Sequence, residues 1–216
     1  MVSTTEALIS KYQELFRKTT EHPLTKELCQ GTLPDRTLYI YLAQDLLFFQ
    51  SGMRGMCNTA SMAPDTESLI TLAKQIGFFA NAENTYFHDC LKLLEPAVTE
   101  QERKFYLSDY LPEVKVYMDL LQEKRARRDL YRYPQLITAM WIAELVYWKW
   151  AHDLPRKPNL HWKHQKWIDL HDGERFETWL EFLRKETDKL KIEEVEDMFK
   201  KTLQLEYDFF QSCYTA

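Results

Sequence analysis

The stretch Gln135 to His152, QLITAMWIAELVYWKWAH, decides the fold class. Its apolar residues Ile137, Met140, Trp141, Leu145 and Trp148 recur at steps of three and four, the period of a helix that packs by one face. The same period runs through almost all of the remaining sequence, and no stretch alternates apolar and polar residues in the manner of a strand. The reading is all-α: a single-domain helical bundle of about seven or eight major helices spanning residues 1–216.

Working outward, a loop over Pro155 to Pro158 is followed by helices over His161 to Leu170, Gly173 to Lys189 and Glu193 to Cys213. Upstream, one helix from Ser3 to Thr19 carries Leu8, Tyr12, Leu15 and Phe16 on one stripe. A short helix over Leu24 to Cys29 stops at Gly31. The next is capped by Thr32, takes Pro34 into its first turn and carries Leu38 to Cys57. A continuous helix from Glu67 to Leu94 ends at Glu95-Pro96, a polar segment covers Thr99 to Pro112, and a helix runs from Glu113 to Arg128.

With 5 Gly and 8 Pro in 216 residues the chain has little turn chemistry, and no linker divides it. Aromatic residues make up 14% (12 Phe, 12 Tyr, 6 Trp), enough to fill a core and still line a pocket for a flat ligand. The 28 Lys and Arg are set against 33 Asp and Glu, net −5, without a basic face to track phosphates. Nucleic acid is therefore not an expected partner. Cys29, Cys57, Cys90 and Cys213 form no CxxC pair and follow no signal-peptide pattern, so reduced thiols and a cytoplasmic location are expected. No apolar run reaches the ~18 residues of a membrane span.

The informative feature is a carboxylate on an apolar stripe, because a buried ionised group costs several kcal/mol unless paired. Three positions qualify. Asp45 shares a face with Tyr41, Leu42, Phe48 and Phe49, where a surface Asp at the stripe's edge is the competing reading. Glu144 stands in the middle of the 135–152 stripe, with Tyr147 one turn on. Glu206 shares a face with Val195, Met198, Phe199, Thr202 and Phe209. Three helices would thus bring three carboxylates to one pocket, or to a buried network satisfied by Tyr and His without chemistry. No His follows a Glu by three residues, against a di-iron bundle. Cys57 and Cys90 read as small core residues, and His161 and His164 as surface residues rather than metal ligands. No metal or cofactor is expected.

Short segments in fixed order carry a resemblance. His22-Pro23-Leu24, Gly31-Thr32-Leu33-Pro34, Tyr41 to Asp45, Val116 to Leu121, Thr138 to Tyr147, Lys166 to Phe176 and Leu205 to Phe210 together resemble the TenA/thiaminase II family. The resemblance implies the helical fold shared with haem oxygenase and hydrolysis of aminopyrimidines in thiamin salvage. It implies that Asp45 holds the pyrimidine by hydrogen bonds, that Phe48 packs on its face and that Tyr117 and Tyr147 line the reacting side. Phe209 joins the ring-binding set, and Glu206 handles protons. Where the better-studied branch has a cysteine nucleophile, this chain has Ala143, with Glu144 next to it. That pattern resembles the second, cysteine-lacking branch, TenA_E. His171 stands where the cysteine branch has a tyrosine, and the resemblance places it with the substrate-binding residues.

The expected reaction converts 4-amino-5-aminomethyl-2-methylpyrimidine to the 5-hydroxymethyl pyrimidine with release of ammonia. Glu144 would be base to water and Glu206 acid to the departing amine, or the reverse, and weak or absent turnover is expected on thiamin itself. Deformylation of the N-formyl aminopyrimidine is the competing reaction, and an inactive pyrimidine-binding protein the competing class. The resemblance also implies a homo-oligomer, dimer or tetramer, with a small-molecule substrate.

Overall fold

The computed structural model describes residues 2–126 and 132–216. Among them are twelve α-helices: α1 (Thr4–Lys11), α2 (Gln13–Thr20), α3 (Pro23–Gln30), α4 (Asp35–Ala60), α5 (Thr66–Phe78), α6 (Asn84–Leu94), α7 (Glu100–Tyr106), α8 (Pro112–Ala126), α9 (Tyr133–Asp153), α10 (Trp162–Leu170), α11 (Glu174–Asp188) and α12 (Ile192–Thr215). Four of these, α1, α2, α3 and α7, have only seven or eight residues, which leaves eight longer ones, as the period implied. The packing divides into two units. One holds 1–31 and 131–208, the other 32–130 and 209–216, so α12 contributes to both.

Several boundaries depart from the sequence reading. The first helix is two, broken at Tyr12 (φ −112, ψ 25), whose hydroxyl donates to Glu196 of α12 at 2.7 Å. Thr32 does not cap α4: Pro34 holds the cap position, without a side-chain bond. The helix expected over Glu67 to Leu94 is interrupted by a π-helical turn, Phe79–Glu83, which sets Phe79 and Phe87 against Phe49 at ring distances of 6.0 and 5.4 Å. A wider turn of this kind shifts the phase of the faces on either side of it. Within the polar segment lies α7, started by a capping box in which Thr99 and Glu102 satisfy each other's backbone N–H. The end expected at Arg128 lies outside the described residues.

In the first unit α9 packs against α11, α2, α3 and α10. The α3 helix ends on Gly31, whose φ of +66 is easy only for glycine and where an added Cβ would stand 2.7 Å from Leu160. The apolar stripe of α9 serves two faces: Trp141, Leu145 and Trp148 line an open cavity of about 730 Å³ together with Ile9 and Leu180, whereas Glu144 and Tyr147 are not among its walls.

In the second unit α4 packs against α5, α6, α7 and α8. Gln44, fully buried on α4, ties down the connection between α7 and α8: its amide donates to the carbonyls of Tyr106 (3.1 Å) and Asp109 (2.9 Å) and accepts from the Leu111 N–H (2.9 Å). An apolar side chain there leaves three backbone groups short of partners. Gln44→Leu is therefore expected to cost about 3 kcal/mol and to lower Tm by roughly 6–12 °C, read by calorimetry. A shift under one degree would show that the amide does not hold this connection.

Candidate active site

Asp45 is buried (5% exposed), one turn before Phe48 on α4. The surface alternative for Asp45 therefore fails. Its charge is felt by Tyr86 and Cys213, both of which burial first and Asp45 further raise well above their ordinary pKa. Phe48 meets the Tyr117 ring of α8 at 4.8 Å and the Phe209 ring of α12 at 6.1 Å, and Tyr41 meets Phe209 edge-on at 6.0 Å. Four residues expected to hold a flat ring, from three helices, thus lie within one unit, a carboxylate beside an aromatic corner. Such a corner can clamp a heteroaromatic ring while the carboxylate accepts from its N–H groups.

The other candidates lie in the first unit. Glu144 keeps part of its surface accessible while protein surrounds its carboxyl, and burial pushes its pKa up from 4.5 to about 7. The indole N–H of Trp179, which forms no well-aligned hydrogen bond, and the Arg175 guanidinium pull that value back part of the way. Desolvation is the leading cause of the rise. Near pH 7 such a group can either give or take a proton. Tyr147, one turn on, lies against the His171 ring at 4.9 Å. Glu206 is buried (2% exposed) on α12, near the buried Thr202 and Leu203.

Sequence reasoning missed Trp179 and Arg175. Their four-residue spacing on α11 places them on one face, but only the packing of α11 on α9 turns that face to Glu144. His161 is exposed at the start of α10, as expected, but His164 is buried, because α10 packs that face against α3 and α9. Cys57 is exposed, against the core reading, since the buried side of α4 there is carried by Met56, Asn58 and Thr59. Cys29, Cys90 and Cys213 are buried thiols.

Among the described residues, His152, Asp172 and Glu177 bring potential metal ligands within 4.8 Å of one another. Asp172 is already engaged there by the His152 ring at 2.9 Å, by the Gly173 N–H at 2.8 Å and by Arg156. An arginine on the carboxylate disfavours a cation at that position. No helix among the described residues is long and apolar enough to cross a membrane.

A model of the TENA/THI-4/PQQC family matches residues 9–216. A TenA homologue from P. horikoshii OT3 superposes with a TM-score of 0.78 at 19% identity, covering 99% of both chains. A TenA homologue from Pyrococcus furiosus gives 0.74 at 20% identity over 97% of this chain and 99% of that one. A protein described as a TenA family transcription regulator, from Silicibacter sp. TM1040, gives 0.79 at 17% identity, with 99% and 97% covered. No curated protein matches the chain. At these identities the structural likeness speaks for the fold.

Proposed function

The chain belongs to the TENA/THI-4/PQQC family, and from that premise we propose that it is an aminopyrimidine aminohydrolase of thiamin salvage, of the cysteine-lacking kind. The observation that carries this reading is Glu144: a carboxyl with a pKa of about 7, next to Ala143 where a cysteine nucleophile would otherwise be required. A group poised at neutral pH can activate water directly, so no thiolate adduct is needed.

In the proposed reaction Asp45 accepts from the aminopyrimidine, and Phe48, Tyr117 and Phe209 flank the ring. Glu144 takes a proton from water as the new C–O bond forms at the exocyclic carbon. The C–N bond breaks with its electron pair going to nitrogen, and Glu206 supplies the proton with which the amine departs as ammonia. Tyr147 orients the reacting side. Glu144 then returns its proton to solvent and Glu206 regains one, leaving the hydroxymethyl pyrimidine. One domain over 1–216 is part of the proposal, supported by a single family model that runs through both units, as are the homo-oligomeric state and the cytoplasmic location.

Mass spectrometry after incubation with the aminomethyl pyrimidine, its N-formyl derivative and thiamin tests the reaction. Hydroxymethyl pyrimidine from the first substrate is the expected product, with little from thiamin. Turnover of the N-formyl substrate alone would move the reading to deformylation. Binding without product would reduce it to a pyrimidine-binding protein.

A further inference from the structure

None of the residues assigned to the reaction lines the open cavity of about 730 Å³ between α1, α2, α9 and α11. Its shape follows from the break at Tyr12. Because α1 packs on α11 and α2 on α9, the face of α9 that carries Trp141, Leu145 and Trp148 stays partly open between them. With Ile9 and Leu180 these side chains form an apolar floor of a size that takes a small organic molecule. The rim is acidic: Glu6, Glu177 and Glu181 stand around the floor, with Arg184 as the one cationic residue of the lining. Arg184 is fully engaged, donating to both Glu181 oxygens at 2.7 Å and to Asp188 at 3.0 Å, and Glu181 also pairs with Lys185 at 3.4 Å. Glu6 accepts from the Ser3 N–H at 2.9 Å and acts on Arg184. Among the described residues, no lysine or arginine pairs with Glu177. The positive groups near it have partners of their own. His152, stacked on Trp148 at 4.7 Å, is held by Asp172 at 2.9 Å, and Lys149, 5.9 Å from the Trp148 ring, pairs with Asp153.

We infer that this cavity is a second binding site, for an organic ammonium ion with an apolar body: the body lies on Trp141, Leu145 and Trp148, and the ammonium donates to Glu177. Two features of the cavity select that class. The indoles and leucines reward a body that leaves water, since an apolar face ringed by polar residues marks a binding surface. The three carboxylates outnumber the single guanidinium, so the field over the floor attracts a cation and repels an anion. An uncharged molecule of the same shape keeps the first contribution and loses the second. The site is independent of the proposed reaction.

NMR of the ¹⁵N-tryptophan-labelled protein reads the floor directly, with the Trp148 indole resonance identified by its loss in Trp148→Phe. Phenethylammonium, used as the probe, should move that resonance with a Kd on the order of 1 mM or tighter. The shift should persist in protein saturated with the hydroxymethyl pyrimidine. Hydrocinnamate, the matching anion, should not bind, and phenethyl alcohol should bind about 2–5-fold more weakly than the ammonium at low salt. Glu177→Gln should weaken the ammonium by about 2–5-fold and leave the alcohol unchanged. Absence of a shift at ten times the expected Kd, equal affinity for ammonium and alcohol, or an unchanged Kd in Glu177→Gln overturns the inference. Loss of the shift in the presence of the hydroxymethyl pyrimidine also overturns it, since the probe would then occupy the reaction site. Dissociation of a native oligomer by Leu145→Glu, followed by sedimentation, would make a second copy of the chain the occupant and overturns it as well.

Discussion

Glu144→Gln is expected to lower kcat/KM for the aminomethyl pyrimidine by about 10²–10⁴, the usual worth of a positioned proton-transfer group. The native rate should rise through pH 7 as Glu144 loses its proton, and that limb should be missing in the variant. Stability should move the other way. A carboxyl whose pKa is raised from 4.5 to about 7 on folding contributes stability that is fully present below 4.5 and lost as pH rises through 7. By pH 8 the ionised group costs the fold about 3 kcal/mol. The uncharged glutamine escapes this cost, so the variant should melt higher than the native protein at pH 8, with the gap closing near pH 4.5. Lower activity together with a higher Tm is a combination that simple misfolding does not produce. An equal Tm difference at both pH values would remove the Glu144 charge as its cause.

Asp45→Asn should weaken binding of the hydroxymethyl pyrimidine about 10–150-fold by titration calorimetry, the range for a charge-assisted hydrogen bond of about 1.5–3 kcal/mol. The loss should appear in kcat/KM for the aminomethyl and N-formyl substrates alike, because both present the same aminopyrimidine edge. Circular dichroism checks that the variant is folded. Unchanged affinity would remove Asp45 from the ring-binding set and with it the orientation assumed for the substrate. A loss confined to one substrate would contradict a shared binding mode.

How much of this was legible in the sequence follows from which forces act locally. The α9 period is written in its apolar residues and fixes the helical class, and Asp45 and Glu144 stand out because they interrupt such stripes. The same criterion also selects Glu186, which is buried yet paired with Lys189 and bonded by the Tyr133 hydroxyl at 2.9 Å. A buried carboxylate is therefore a candidate until its partners are known. The break at Tyr12 was hidden because the stripe of Leu8, Tyr12, Leu15 and Phe16 continues through it. In α7 only Tyr106 is buried, so no stripe announces the helix, although Thr99-x-x-Glu102 does. The His171 ring is held by a backbone group at the end of α10, the Trp167 carbonyl oxygen 2.8 Å from its Nδ1, a feature that no side-chain pattern encodes.

The distribution of the four thiols has a practical consequence. Burial holds the Cys29 thiol near pKa 11 and raises Cys213 well above its ordinary value, and Cys90 is fully buried, so none of the three offers an accessible thiolate at neutral pH. Cys57 is exposed on α4. One equivalent of a maleimide dye or nitroxide should therefore attach at Cys57 alone, placing a reporter twelve residues beyond Asp45 on the same helix with no change to the sequence.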